Sequence, residues 1–122
     1  MEPSLYEKLG GEAAVMAAVD SFYEKVIADE RTRPFFESLN IEAQVRKQVA
    51  FMSWAFGGPS EYKGQSLRRA HASLVPRGLT DVHFEAIITH LRETLKELGA
   101  GDELIQEVVR IIEPTRRDVL GR

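Results

Sequence analysis

NIEAQVRKQVAFMSWAFGGP, at residues 40–59, is the most informative stretch of this 122-residue chain. Asn40 is a residue type preferred at the start of a helix, and apolar residues then recur at helical spacing as far as Phe56. The Gly-Gly-Pro run at 57–59 ends the pattern, because glycine and proline interrupt regular structure. We therefore predict a helix from Asn40 to Phe56.

One face of this predicted helix mixes amides with apolar side chains. Its members are Gln44, Gln48, Phe51, Met52 and Ala55. Burying an amide without a partner costs about 1–3 kcal/mol, so two buried glutamines would have to meet something polar. The alternative is that the helix exposes its two glutamines to solvent. The spacing leaves both interpretations open.

Helical patterns also precede this stretch. Ser4 and Glu7 have the spacing of a capping box and predict a short helix that ends at the glycine pair 10–11. A second helix is predicted at about 12–28, because its apolar side chains recur three and four residues apart. A further helical turn is predicted around Pro34.

The C-terminal half has the same periodicity. We predict helices at about 66–75 and 80–98, the second one capped by Thr80. A last helix is predicted to begin with Asp102 as its cap and to kink at Pro114, since proline disrupts helical hydrogen bonding. No segment alternates with the two-residue period of a strand, so the sequence predicts an all-α protein.

Composition restricts the class of protein further. The length suits one domain over residues 1–122, and 43% hydrophobic with 29% charged residues is typical of a globular chain. With a net charge of −3, we expect no nucleic-acid partner. The absence of cysteine excludes disulfides, thiolate-bound metals and cysteine nucleophiles. No secretion signal and no membrane-spanning run is present in the sequence, so we expect a cytoplasmic protein.

His71 is unusual because it lies within an apolar helical face. Leu67, Ala70 and Leu74 share that face at helical spacing. A histidine in such a position is most often a hydrogen-bonded core residue. The exception is a neutral imidazole that binds the iron of a haem, whose porphyrin supplies the other nitrogens. Both interpretations stay open on the spacing.

His83 and His90 do not join this pattern. Each lies roughly 100–120° away from the apolar stripe of its own helix, at 100° per residue. The sequence contains no His-Glu-x-x-His pair either. We therefore do not expect the three histidines to share one zinc ion.

Tyr23 is predicted to lie on the buried face of the second helix, beside Phe22. A buried tyrosine hydroxyl needs a hydrogen-bond partner. Core tyrosines are common, so this residue alone indicates little. Together with Gln44 and Gln48, it would form a polar cluster that faces an apolar pocket.

Several short motifs follow one another in a specific order. They are SLYEKLGG at 4–11, Phe22-Tyr23, Phe35-Phe36, Gln44 with Gln48, AFGGP at 55–59, and Ala70-His71. This ordered set resembles the group 1 truncated haemoglobins, and the similarity extends from Leu5 to Leu120. The resemblance implies a truncated globin fold, in which a two-over-two helical sandwich encloses one haem.

The same resemblance implies a role for each matching residue. His71 takes the position of the proximal iron ligand, and Phe36 that of the phenylalanine stacked on the porphyrin. Tyr23, Gln44 and Gln48 fall on the distal positions that donate hydrogen bonds to the ligand. Further residues expected to contact the haem are Lys47, Phe51, Met52, Tyr62, Leu67, Ala70, Phe84, Ile87 and Leu91.

Three residues depart from the pattern of some relatives. Lys47 stands where certain cyanobacterial members use a histidine as a sixth iron ligand, so we expect it to pair with a haem propionate instead, with iron binding as the alternative. Thr115 stands about where some members bond a histidine to the haem, so we expect a non-covalent haem b (iron protoporphyrin IX). Met52 replaces a phenylalanine proposed to gate a ligand tunnel, and a flexible methionine would gate less sharply.

Three functions remain for such a chain. The first is reversible binding, storage or transport of O2 at ferrous haem, with CO and NO as further ligands. The second is a nitric oxide dioxygenase activity, which would need a separate reductase because the chain has no nucleotide-binding glycine motif of its own. The third is a haem-free helical interaction module. We expect a monomer without a membrane partner.

Overall fold

The computed structural model describes residues 4–37, 40–58 and 71–122. Within these ranges the chain forms helices and turns and no strand, and no helix there is long and apolar enough to cross a bilayer. The α-helices are α1 (Leu5–Leu9), α2 (Gly11–Ala28), α3 (Ile41–Ala55), α4 (Asp81–Glu97), α5 (Asp102–Ile112) and α6 (Arg116–Val119). Short 3₁₀ turns lie at Arg33–Phe35, Val75–Arg77 and Glu113–Thr115.

The predicted helix caps at Ser4 and Asn40 are confirmed. The Ser4 hydroxyl accepts the Glu7 N–H at 3.2 Å, and the Asn40 side chain accepts the Ala43 N–H at 3.1 Å. Each bond satisfies one of the backbone donors that a helix leaves free in its first turn. The short helix α1 ends at Gly10, whose φ of +117° favours glycine.

Two predicted helix boundaries are wrong. The helix expected at 66–75 does not reach Val75, because residues 72–74 form turns and a 3₁₀ turn follows; residues 66–70 lie outside the described ranges. Pro76 is consistent with the change, since proline has no backbone N–H to bond the carbonyl of residue 72 and so cannot continue an α-helix. Asp102 is the first residue of α5 and Gly101 is its cap. Asp102 therefore contributes through its charge near the helix N-terminus.

The expected kink at Pro114 is a break between two helices. The α5 helix ends at Ile112, and Pro114 lies in the 3₁₀ turn that leads into α6. There the Arg116 guanidinium donates to Asp81 at 2.9 Å and lies 4.6 Å from the centre of the Phe84 ring. These contacts fasten the C-terminal turn to the start of α4.

The helices form two pairs, as predicted. The α2 helix packs on α3, α4 packs on α5, and α2 also contacts α4, which joins the pairs. The centre of the core is formed by side chains with 2% or less of their surface exposed, among them Val19, Val26, Leu91 and Val108.

His83 and His90 have structural contacts on α4. The Thr80 N–H donates to His83 Nδ1 at 2.9 Å, so this ring completes the N-terminal cap. His90 Nε2 lies 2.7 Å from the carboxylate of Asp29, the C-cap of α2. Arg31 donates to the same carboxylate and, with His90, holds the pKa of Asp29 well below its usual range. Asp29 therefore ties the end of α2 to the middle of α4.

The Asp29→Asn variant is expected to be less stable at neutral pH. Hydrogen bonds to a charged group contribute about 1.5–3 kcal/mol, and the amide loses part of this contribution. Because folding lowers the pKa of this carboxyl, its contribution is present above the unfolded pKa of about 4 and is lost as the pH falls further. Urea unfolding should thus show a difference at pH 7 that shrinks in acid. Asp20→Asn, at an exposed site on α2, is the control; equal loss in both variants would contradict the prediction.

Candidate functional site

Tyr23 lies in the core, and its hydroxyl is buried. Only 3% of its surface is exposed, and its ring makes edge contacts with Phe22 and Phe36, each at 5.7 Å between ring centres. Among the residues that the structure describes, the hydroxyl oxygen has no hydrogen-bond partner. A buried polar group without a partner costs about 1–3 kcal/mol, so such an atom marks a place where a polar ligand would be stabilised.

The hydroxyl of Tyr23 remains a donor over the physiological pH range. Burial raises its pKa to about 12, because the charged phenolate is disfavoured away from water, while the nearby Gln48 side chain opposes the shift. The amide of Gln48 is thus close to the hydroxyl, yet the two groups do not form a hydrogen bond.

The α3 helix places the two glutamines at the edge of the core. Gln44 and Gln48 are half-buried, whereas Arg46 and Lys47 between them are exposed. The sequence allowed the glutamines either to be buried near something polar or to be exposed to solvent. Their partial burial favours the first of these interpretations. Gln48 approaches Tyr23 from the neighbouring helix, as the predicted polar cluster requires.

Most of the predicted apolar contact residues share one cluster. Phe36 follows the 3₁₀ turn Arg33–Phe35 and packs against Tyr23. Phe36, Phe51, Met52, Phe84, Ile87 and Leu91 all belong to the core cluster or pack against it. Lys47 does not join them, because its side chain lies on the exposed face of α3.

His71 is helical and half-buried, and it starts a series of tight turns. Its carbonyl accepts the Leu74 N–H at 2.9 Å. Tyr62, Leu67 and Ala70, which are also predicted to contact the haem, lie outside the described residues.

A cavity of about 220 Å³ adjoins this cluster and was not predicted from the sequence. Met52 and Leu91 line it, together with Ala18, Phe56, Leu95 and Leu104. Neither Tyr23 nor Gln48 is among its lining residues, so it is separate from the polar cluster. Its walls come from several helices, and no local pattern in the sequence indicates such a space.

Comparison with known proteins places this chain in a family. The sequence model of the bacterial-like globins matches residues 4–120. A group 1 truncated haemoglobin from Tetrahymena thermophila is 46% identical over 99% of this chain and 98% of its own length. The chain belongs to the group 1 truncated haemoglobins. As a member of this family, it is a globin that binds ligands at a haem.

Solved structures of truncated haemoglobins agree with the fold. The Fe(III) form of the Tetrahymena pyriformis protein is 46% identical and superposes with a TM-score of 0.90, covering 98% of this chain and all of that one. The protein of Synechococcus sp. PCC 7002, in the cyanomet state and with covalently attached haem, is 51% identical with a TM-score of 0.93 and the same coverage. The predicted two-over-two globin fold is thus confirmed.

Proposed function

We propose that this truncated haemoglobin binds O2 reversibly at a ferrous haem b that is held non-covalently, with His71 as the proximal iron ligand. The observation that carries the proposal is the buried hydroxyl of Tyr23, which has no partner among the described residues and lies in an apolar cluster. A donor in such surroundings suits a small polar ligand.

The residues present fit a haem. A haem needs apolar walls, and Phe36, Met52 and Phe84 supply them. It also needs an axial base, and His71 has the ring nitrogen that haem iron accepts. When bound, the haem would supply an iron atom that takes up O2, CO or NO. Support for the donor set comes from Tetrahymena pyriformis. Variants of that protein replace one tyrosine and two glutamines, whose separations along the chain equal those of Tyr23, Gln44 and Gln48.

The chain's own groups have separate tasks in this proposal. One ring nitrogen of His71 would hold the iron, and a hydrogen bond from the other nitrogen would fix the orientation of the ring. The Tyr23 hydroxyl donates a hydrogen bond to the ligand, and the amides of Gln44 and Gln48 add to it. Two or three such bonds contribute about 1–4 kcal/mol, or about 5- to 1,000-fold in affinity. They favour polar O2 over CO, since donors act most strongly where charge develops.

A second function has one observation in its favour. The 220 Å³ cavity shares Met52 and Leu91 with the predicted haem wall and could hold a second apolar gas molecule. Such a space suits a reaction in which NO is oxidised by O2 to nitrate. Forming one nitrate from one NO and one O2 takes up one electron, so a separate reductase would have to supply it.

Rapid mixing separates these two functions. The O2-loaded protein is mixed with NO, and turnover is then followed with a chemical reductant present. Reversible O2 binding predicts slow O2 release and no sustained consumption of NO. Sustained consumption at a rate set by the reductant would favour the dioxygenase instead.

The Lys47→Ala variant is expected to lose haem a few times faster and to keep the ferric absorption spectrum at pH 7 nearly unchanged. An exposed amine can pair with a haem propionate without losing its proton. To bind iron it would first have to give up that proton, which a propionate pair does not require. Haem transfer to an acceptor protein measures the first effect. Lys96→Ala, exposed on α4, is the control. A low-spin spectrum that becomes high-spin in Lys47→Ala would instead show that the amine binds iron.

A further inference from the structure

We infer that Arg77 is a positioning residue, which fastens the turn after His71 to the turn before Phe36 and thereby holds Tyr23 in its donating orientation. The inference rests on the proposed role of Tyr23. It concerns a residue outside the motifs that relate this chain to its family. Arg77 acts on Tyr23 indirectly, through contacts between segments that are far apart in sequence.

Arg77 is closely connected to His71 through the backbone. The Leu74 N–H donates to the His71 carbonyl at 2.9 Å, and the Arg77 N–H donates to the Leu74 carbonyl at 3.0 Å. Two consecutive tight turns thus separate the two residues. Gly78 then ends the segment with a φ of +99°. The position of Arg77 is therefore set by the same turns that follow the proposed iron ligand.

The side chain of Arg77 reaches across to the turn Arg33–Phe35. Its guanidinium donates a hydrogen bond to the Pro34 carbonyl at 2.9 Å and lies 5.5 Å from the centre of the Phe35 ring. A charged donor makes a stronger hydrogen bond than a neutral one, and a planar guanidinium over an aromatic ring adds a cation–π contact. Arg77 thus holds this turn by two contacts on adjacent residues.

Contacts with α2 and α4 also hold the turn Arg33–Phe35 in place. The Phe35 ring packs against His83 at 4.9 Å between ring centres, and Phe35 is buried. The hydroxyl of Thr32, just before the turn, donates to the Val26 carbonyl of α2 at 2.7 Å. Arg77 therefore adds a contact from the segment after His71 to those that the turn makes with α2 and α4.

Phe36 connects the turn Arg33–Phe35 to Tyr23 by direct ring contact. It is the residue that directly follows the turn, and its N–H donates to the Arg33 carbonyl at 2.9 Å. Its ring meets Tyr23 edge-on at an interplanar angle of 84°, while Phe22 meets Tyr23 at 76°. The tyrosine ring is thus packed against two aromatic rings, and we expect a shift of Phe36 to change the direction of the hydroxyl.

The test is a double-mutant cycle on the haem-loaded protein. Arg77→Met removes the charge and the donor but keeps a long side chain, Arg77→Lys keeps the charge, and Tyr23→Phe removes the hydroxyl. Arg92→Met, at an exposed site of α4, is the matched control. Two quantities are measured: the O2 dissociation rate, and the C–O stretching band of the CO complex, which responds to hydrogen bonding at the ligand.

Arg77→Met is expected to raise the O2 dissociation rate about twofold or more when Tyr23 is present, and not at all in the Tyr23→Phe background, since coupled residues are not additive. The C–O band should move toward that of Tyr23→Phe, and Arg77→Lys should restore part of both effects. Equal increases in the O2 dissociation rate in the two backgrounds, or a response no larger than that of Arg92→Met, would overturn this inference but not the proposed function. If Tyr23→Phe itself leaves O2 dissociation unchanged, the proposed function and this inference both fail.

Discussion

The His71→Ala variant is expected to be isolated almost free of haem. The axial imidazole is the protein's only proposed bond to the iron, and the apolar walls alone would leave a weakly held porphyrin. The ratio of haem absorbance to protein concentration measures this loss. A His71→Gly variant adds a sharper test, because free imidazole should enter the space of the missing side chain and restore haem binding.

The other two histidines provide controls for this experiment. His83→Ala and His90→Ala remove the cap at Thr80 and the contact with Asp29, so both variants should be less stable. Neither is expected to change the amount of haem bound by the folded protein. Normal haem content in His71→Ala, with an unchanged axial-nitrogen spectrum, would show that the iron ligand has been assigned wrongly.

Tyr23→Phe is expected to speed O2 dissociation by about 10- to 150-fold, as for the loss of a hydrogen bond of about 1.5–3 kcal/mol to a partner that carries charge. The CO dissociation rate should change much less, because CO gains less from a donor. Stopped-flow displacement measures both rates. Tyr6→Phe, on α1 and half-buried, is the matched control, and it should leave both rates unchanged.

The haem-free form of Tyr23→Phe should be more stable than the haem-free wild type. Without a ligand, the hydroxyl has no partner among the described residues, so its removal is expected to raise the free energy of unfolding by about 1 kcal/mol or more.

Tyr23→Phe combined with Gln48→Leu should be non-additive in O2 dissociation, because both groups would act on one ligand. If O2 and CO dissociation change equally in Tyr23→Phe, the hydroxyl has only a structural role.

The helices of this globin could be predicted from the sequence, because the interactions that form them are local. Ser4 and Asn40 cap helices through backbone groups three residues away, and Gly10 ends α1 through its own dihedral angles. The motif order from Leu5 to Leu120 also indicated the correct family. Local pattern was less reliable at helix ends such as Val75 and Asp102, where neighbouring proline and glycine residues changed the boundary.

The environment of the candidate site depended on the tertiary structure. The spacing of Gln44 and Gln48 allowed either burial or exposure, and only the packing of α3 on α2 placed them at the edge of the core. That the Tyr23 hydroxyl finds no partner within the described ranges likewise depends on what α3 and the turn before Phe36 bring near it. The bond from Arg77 to Pro34 joins residues 43 positions apart, and no local pattern encodes it. Burial and long-range contacts depend on the arrangement of all helices at once, whereas a helix depends mainly on residues within one turn.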